Sequence, residues 1–309
     1  MATVGIEKTK SIWVDGALVP WEEAQVHLLT HSLHYGLGAF EGIRCYQTSD
    51  GRSAIFRLGD HVQRLFESAH IALMKLPFTR EQVASACLEL LRANGMAHGY
   101  LRPLAWHADG MMGLGSVTPV RLAIAAWHWG AYLGEDGLKK GIRAKVSSFT
   151  RNPVNVSMVR GKLTGQYVNS VLAKREANLA GYDEAILLDA RGLVAEATGE
   201  NIFMVREGVV FTPPLSSPVL AGITRASVMR LLRDSGVEVR EETFPRDSLY
   251  IADEVFFTGT AAEVTPVREI DDRSVGTGAP GPLTARVQEL YGRAVRGAEP
   301  RYAEWLTYL

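Results

Sequence analysis

Eight residues, Glu196-Ala-Thr-Gly-Glu200-Asn201-Ile-Phe203, set the strictest condition on how this chain can fold. They crowd two carboxylates and an amide around a glycine, directly before an apolar run of β type, Ile202-Phe203-Met204-Val205. A strand that opens this way needs a partner for each polar group, because a buried polar atom without a hydrogen bond costs roughly 1–3 kcal/mol. An acid-rich loop would meet the condition by staying in water, and taken alone the stretch reads more often as such a loop. Its surroundings argue otherwise. Lys162 lies upstream, Leu220-Ala-Gly-Ile-Thr-Arg225 follows with a glycine at the start of a helical pattern, and Thr258-Gly-Thr-Ala-Ala262 comes later.

Elsewhere short strand and helix patterns alternate. Ile12-Trp-Val-Asp-Gly-Ala-Leu-Val19 reads as a hairpin turning at Asp15-Gly16. Val62, Leu65, Phe66, Ala69 and Leu73 form a helical stripe across residues 60–76, and Val83, Cys87, Leu90 and Leu91 repeat it across 80–94. Residues 121–127 have the length and apolar continuity of a buried strand. Between Gly130 and Gly141 the composition turns to glycine and charge, which marks an interdomain connection. Beyond it, strands are expected over 142–148, 184–188, 202–205, 209–211 and 254–257, with helices over 166–180, 224–235 and 284–295. The division is therefore 1–129, a connection over 130–141, and 142–309.

The 33 basic and 34 acidic residues nearly cancel and are not clustered, which argues against nucleic acid or an anionic membrane as partner. No apolar run reaches the roughly 18 residues of a membrane span, and Met-Ala-Thr-Val-Gly-Ile-Glu-Lys has no signal-type apolar region. Cys45 and Cys87 form no C-x-x-C pair and suit a reducing cytoplasm. His27, His31 and His34 have a spacing seen among metal ligands. No cysteine or acid completes a site, so packed or hydrogen-bonded histidines are the better reading, and no metal is expected. Gly36-x-Gly38 and Gly113-x-Gly115 are fragments of a dinucleotide fingerprint. Gly161-Lys162 is not a P-loop, because Val156 stands at the first glycine and Leu163 replaces Ser/Thr.

The remaining polar features are complementary. A phosphate is held well by backbone N–H groups at a helix start. Gly222-Ile223-Thr224-Arg225 ahead of Val228, Leu231 and Leu232 offers one, although a plain capped helix is the commoner meaning of such a pattern. Gly259-Thr260 adds further donors, and Arg64 a charge. A lysine that forms imines must be partly desolvated to lose its proton near neutrality. Lys162 stands between Gly161 and Gly165 in a mostly uncharged stretch, with Tyr167 close by. Glu196 is a candidate partner for a protonated pyridine nitrogen. Lysine, phosphate cradle, carboxylate and phenol together are what pyridoxal 5'-phosphate requires.

This ordered set, with Thr258-Gly-Thr-Ala-Ala-Glu-Val-Thr-Pro266, resembles the fold-type IV pyridoxal phosphate enzymes. His34-Tyr35-Gly36, Phe40-Glu-Gly-Ile-Arg44-Cys-Tyr, Tyr100-Leu-Arg102-Pro and Trp129-Gly-Ala-Tyr132-Leu are similar to bacterial branched-chain amino acid aminotransferases. The resemblance runs from the Trp13 hairpin to about Val295. It implies an α+β protein of two domains, a small N-terminal α/β domain and a larger C-terminal domain of mixed, barrel-like β structure.

It also implies roles. Lys162 would bond the cofactor and move a proton between Cα and C4′. Glu196 would hold the pyridine nitrogen protonated, Tyr167 would bond the 3-oxygen, and Leu220 would pack on the ring. Arg64, the amides of Ile223 and Thr224 after Gly222, and Thr260 after Gly259 would hold the phosphate. Tyr35, Phe40, Trp129 and Tyr132 would line the side-chain space. Tyr100 and the Ala261 and Ala262 amides would take the α-carboxylate, with Arg44 behind Tyr100, and Arg102 the γ-carboxylate of glutamate. Glu200 and Asn201 would satisfy neighbouring groups, including an arginine on the phosphate side. A homodimer would be the minimal unit, a hexamer the larger option, with Tyr35 and the loop 111–114, Leu114 included, reaching the neighbour's site. The implied activity is reversible, ping-pong transamination of leucine, isoleucine and valine with 2-oxoglutarate, so the partners are small amino acids and 2-oxo acids. A D-amino acid or (R)-amine transaminase, or the aminodeoxychorismate lyase, are alternatives on the same fold, and a non-catalytic ligand-binding protein is one of another class. The chain departs from the family in Leu163-Thr164-Gly165-Gln166, where small residues and an asparagine are usual, and in Ala221, where proline is frequent.

Overall fold

A computed structural model describes residues 6–130 and 132–309. Residues 1–5, part of the stretch read for a signal region, and Ala131 of the 130–141 connection lie outside the described residues. The chain divides into two compact units. One takes the chain up to Trp129 with Gly161–Gly165 and Ala294–Leu309; the other takes Gly130–Arg160 and Gln166–Arg293. A single cut at 130–141 thus misses two returns of the chain. Leu163 is buried in the core of the first unit, and Leu306–Tyr308 adds an edge strand to it by pairing with Ser53–Phe56. The 130–141 segment is more than a connection, since Glu135–Lys140 is a helix with Glu135 and Asp136 in its first turn and Lys139 and Lys140 in its last, matching the helix dipole.

The first unit is built on an antiparallel sheet of eight strands. Its order is Leu306–Tyr308, Ser53–Phe56, Ile43–Gln47, Gly99–His107, Val120–Trp127, Ser11–Val14, Ala17–Pro20, with Gly38–Phe40 also pairing to Gly99–His107. The expected hairpin forms, and both turn residues, Asp15 (φ 47°) and Gly16 (φ 99°), adopt the positive φ of a type I′ turn. The helix Arg80–Ala93 starts with a reciprocal cap between Thr79 and Gln82. Its Val83, Cys87, Leu90 and Leu91 are buried with Val62, Leu65 and Ala69 of the helix Leu58–Ile71. That second helix is shorter than its stripe suggested. Leu73 turns left-handed (φ 55°), the Met74 amide bonds the Ala69 carbonyl at 2.8 Å, and Leu73 is left 90% exposed.

The strand Gly99–His107 was hidden by Pro103, a residue normally kept out of central strands. Its neighbour resolves this. Gly38–Phe40 pairs only up to Leu104 and Ile43–Gln47 only from Leu101, so Glu41 and Gly42 interrupt the ladder opposite Arg102 and Pro103. The Pro103 carbonyl takes the Glu41 amide at 2.9 Å. The missing N–H of Pro103 falls in a gap where no acceptor requires it.

The second unit holds a mixed sheet of nine strands. Its order is Val194–Ala197, Glu184–Leu188, Ile142–Thr150, Glu263–Ile270, Glu254–Gly259, Asn201–Arg206, Val209–Thr212, Val239–Glu241, with Arg273–Ser274 on Glu263–Ile270. Ile142–Thr150 runs parallel to both neighbours, as Val209–Thr212 does to Val239–Glu241. A bridge between Leu193 and Pro245 links the two ends, giving the barrel-like character. The helices Tyr167–Leu179 and Ile223–Asp234 fall where the periodicity placed them. Glu263–Ile270, like Gly99–His107, was masked by an internal proline, Pro266. Among the described residues no helix is long and apolar enough to cross a membrane.

The strained, exposed Leu73 yields a test. A left-handed residue with a Cβ costs roughly 1–2 kcal/mol, part of which glycine returns as unfolded-chain entropy. Leu73→Gly should therefore raise the calorimetric unfolding midpoint; an unchanged or lower midpoint would contradict the helix end described.

Candidate active site

Lys162 sits on a short segment laid onto the first unit. Its amide donates to Ser68 Oγ at 2.9 Å, and its carbonyl accepts from the Phe40 amide at 3.1 Å. Leu163 bridges Ala39, and Thr164 Oγ1 donates to the Gly36 carbonyl at 2.6 Å. The unusual residues after the lysine are therefore in use: Leu163 fills the core and Thr164 ties down the turn. Gly165 is needed for close approach, because a Cβ there would stand 2.9 Å from the Gly36 carbonyl oxygen. With its backbone fixed, the Lys162 side chain stays half-buried, its ammonium 4.7 Å from the Phe40 ring centre.

Strand alternation puts Tyr100 and Arg102 on one face of Gly99–His107 and Leu101 on the core face. The Arg102 guanidinium stands over Phe40, Tyr100 and Trp127 at 5.0, 5.5 and 5.7 Å. Tyr100 meets Trp129 edge to face at 4.6 Å. Its phenol oxygen rests on Gly42, where a Cβ would collide with it. Arg44 is paired in register with Tyr100 across the sheet. Trp127 was read only as the end of a strand; its register opposite Tyr100 makes it part of this aromatic wall. Tyr35 is half-exposed, its ring 4.5 Å from His31. His31 Nε2 bonds the Gly113 carbonyl at 3.0 Å and so ties the helix His31–Tyr35 to the loop carrying exposed Met111 and Leu114. His27 and His34 likewise bond backbone groups, the Leu29 amide and the Leu28 carbonyl.

Arg64 does not stand as a lone cation. Glu41, fully buried, accepts from Arg64 Nε at 2.7 Å, Arg64 Nη2 at 2.9 Å and His61 Nδ1 at 2.7 Å. Burial alone would raise the Glu41 carboxyl, but the Arg64 charge and the bonds from His61 and Arg64 outweigh it and hold it well below the usual range. Burial lowers the His61 value, so the ring is neutral with its proton on Nδ1, since a carboxylate can only accept.

In the second unit the opening stretch separates into roles. Glu196 pairs with Arg151 Nη2 at 2.7 Å, and its other oxygen accepts from Asn201 Nδ2 and the Leu220 amide, both at 3.0 Å. Asn201 Nδ2 also reaches the Leu220 carbonyl at 3.0 Å. Arg151, unnoticed in the sequence, also bonds Ser170 on the helix that begins at Tyr167. Glu200 accepts from the Gly199 amide at 3.1 Å. Burial first, and the nearby Glu184 carboxylate second, push its carboxyl up to about 8. Glu184 itself is neutralised by Lys174 at 2.5 Å.

The helix Ile223–Asp234 starts at Gly222 with no side-chain cap, and Ile223 and Thr224 are buried. A Cβ on Gly222 would run into Asn201 Oδ1, so only glycine allows this approach. Buried, uncapped amides of a first turn form an anion cradle. Asn201 pairs in register with Thr258, whose buried hydroxyl has no hydrogen-bond partner among the described residues, and the turn beyond it packs Gly259 on Gly199 and Glu200. Thr260 and Ala261 are half-buried beside it, and the buried Ala262 is anchored through its carbonyl by Thr265. Tyr132 belongs to this unit, 5.7 Å from the Lys174 ammonium. A clamped carboxylate, an open helix start and an unsatisfied hydroxyl fit the donor set of pyridoxal 5'-phosphate, as does the held lysine of the first unit.

Comparison with known proteins agrees. Residues 38–270, more than half the chain, match the family model for amino-transferase class IV. A branched-chain-amino-acid aminotransferase of Pseudomonas aeruginosa is 49% identical over 297 residues, covering 96% of each chain. That of Escherichia coli K12 is 43% identical over 304 residues, covering 97% of each. Among solved structures, the Escherichia coli branched-chain amino acid aminotransferase superposes with a TM-score of 0.95 at 42% identity, over 97% of this chain and 99% of that one. The corresponding enzyme of Thermobaculum terrenum, in its PLP-form, gives 0.91 at 37% identity, over 98% of this chain and 99% of that one.

Glu200 gives this site a measurable pH dependence. Its folded value of about 8 lies above the usual 4.5, so its contribution to stability is complete below the ordinary carboxyl range and is lost as pH rises through about 8. Glu200→Gln, neutral throughout, should match wild-type stability most closely near pH 5 and exceed it near pH 9. Parallel stability curves for the two proteins from denaturant melts would contradict the protonated assignment.

Proposed function

The chain belongs to the class IV aminotransferases, and we propose that it exchanges amino groups between branched-chain L-amino acids and 2-oxoglutarate, with pyridoxal 5'-phosphate as cofactor. The observation that carries the substrate reading is the setting of Arg102. A pocket serving both partners must hold an aliphatic side chain in one half-reaction and a γ-carboxylate in the other. Arg102 lies over three ring faces, and among the described residues its guanidinium makes no hydrogen bond or ion pair. A guanidinium spread on aromatic faces tolerates an apolar neighbour yet keeps its fork for a carboxylate.

Bound pyridoxal phosphate supplies the electron sink for the charge left when the Cα proton departs. The chain's residues do the rest. Lys162, its backbone held by Ser68 and Phe40, would serve as the base that takes the proton from the substrate Cα. Glu196, held by Arg151, Asn201 and Leu220, keeps a proton on the pyridine nitrogen. Tyr167 bonds the 3-oxygen. The Ile223 and Thr224 amides, Thr260 and Arg64 take the phosphate, while Leu220 covers the ring. Tyr100 and the Ala261 and Ala262 amides orient the α-carboxylate. Phe40, Trp129, Tyr132 and Tyr35 surround the side chain.

A homodimer is the working unit in this reading. Exposed Leu28, Leu33, Met111 and Leu114 lie on the two segments joined by His31 and Gly113, and burying them between copies removes apolar surface from water. Light scattering should give at least twice the 33.8 kDa of the chain. The free, buried thiols of Cys45 and Cys87 suit a cytoplasmic setting.

Single half-reactions, read by cofactor absorbance, test the assignment. L-leucine and L-glutamate should both convert, and rapid reaction of D-alanine without L-leucine would overturn it. Arg102→Met should slow the L-glutamate half-reaction by roughly 100-fold, the loss of a charge-assisted pair, and leave L-leucine nearly untouched. Borohydride should fix the cofactor onto Lys162, and Lys162→Ala should abolish both half-reactions.

A further inference from the structure

We propose that Glu41 is a positioning residue for both Lys162 and Arg64, acting through a closed circuit of hydrogen bonds; this rests on the cofactor reading above. Two routes join Glu41 to the lysine. Along the chain, Glu41 follows Phe40, whose amide donates to the Lys162 carbonyl at 3.1 Å. Through side chains, Glu41 holds Arg64 in a two-point ion pair. Ser68 Oγ, one turn further along the same helix, donates to the Arg64 carbonyl at 2.8 Å and accepts the Lys162 amide at 2.9 Å. Both faces of the Lys162 backbone are thus referred to one carboxylate. Ser68 is wholly buried and His61 nearly so, which leaves no water to substitute for a lost link.

The chemistry of the contacts explains why a carboxylate is required. The four groups that reach Glu41, namely Arg64 Nε, Arg64 Nη2, His61 Nδ1 and the Gly42 amide, are all donors. An amide in its place would turn an N–H₂ toward donors and leave the buried guanidinium without a counter-charge. Arg64 would then rotate, carrying the phosphate contact expected of it, and the helix segment that seats Ser68 would lose its anchor. Ser68→Ala, by contrast, cuts only the branch to Lys162 and buries no charge.

Three proteins test this in the full-length holoenzyme, by equilibrium dissociation of pyridoxal phosphate and by the pH midpoint of the bound cofactor's visible absorbance. Glu41→Gln should weaken cofactor binding by about tenfold or more, displace the absorbance midpoint, and lower kcat with little change in KM for L-leucine. Ser68→Ala should displace the midpoint while keeping cofactor affinity close to wild type. Glu41→Asp should restore part of the affinity, and it carries the same measurements if Glu41→Gln does not fold. Variants that lose thermal stability but keep wild-type affinity and midpoint would overturn the proposal, leaving Glu41 a structural ion pair. Wild-type protein with no cofactor absorbance at all would instead overturn the functional reading on which it stands.

Discussion

Glu41 and Gly42 interrupt a strand, and much of the first unit depends on that interruption. An unbroken ladder from Gly38 to Gln47 would demand an N–H from Pro103 and would continue strand alternation through Glu41. The break removes the demand, and the Glu41 carboxylate sits instead against Arg64 and His61. The glycine beside it lends its bare backbone as a seat for the Tyr100 phenol. One irregularity of two residues therefore explains a proline in a central strand, a buried ion pair and the placement of a substrate-side tyrosine. Burying two full charges is costly unless each finds good geometry, and the geometry here is supplied by the same helix that anchors the lysine segment.

The second unit solves a related problem, three glutamates close together in an interior, by giving each a different remedy. Glu196 is matched by Arg151, Glu184 by Lys174, and Glu200 keeps its proton. Three buried anions would repel one another, while three neutral acids would leave Arg151 and Lys174 without counter-charges. The arrangement leaves Glu184 and Glu196 each against a cation, with Asn201 and the Leu220 amide settling the second oxygen of Glu196. Charge is placed by choosing which acid to leave ionised.

Some of this was legible in the sequence. Lys162, Glu196 and Gly222 stand in local patterns whose chemistry is short-range: a lysine flanked by glycines, acids before an apolar strand, a glycine before a helical stripe. The helices Arg80–Ala93 and Ile223–Asp234 declared themselves by periodicity, since both are half-buried and amphipathic. What stayed hidden depends on distant segments meeting. Arg151 gains meaning only where it meets Glu196, and Trp127 only through its register opposite Tyr100. Glu41 was visible within Phe40-Glu-Gly, but its role requires Arg64 and His61 from a helix beyond two more strands. Gly99–His107 and Glu263–Ile270 were concealed by internal prolines, and for Pro103 the interrupted neighbour removes the demand for an N–H. Leu73 misled for the opposite reason: it kept the apolar rhythm after the backbone had already left the helix.

The return of the chain to its first unit has a bearing on biosynthesis. Leu163 is part of that unit's core, and Leu306–Tyr308 closes its sheet edge against Ser53–Phe56. Domains commonly fold in the order in which they emerge from the ribosome. Here the first unit cannot finish before Leu306–Tyr308 is made, and until then Ser53–Phe56 is an open edge able to pair with another nascent chain. The segment that carries Lys162 therefore docks onto a scaffold whose sheet is completed only by Leu306–Tyr308. Removing Leu306–Tyr308 would therefore fall on the unit whose other strands are synthesised first.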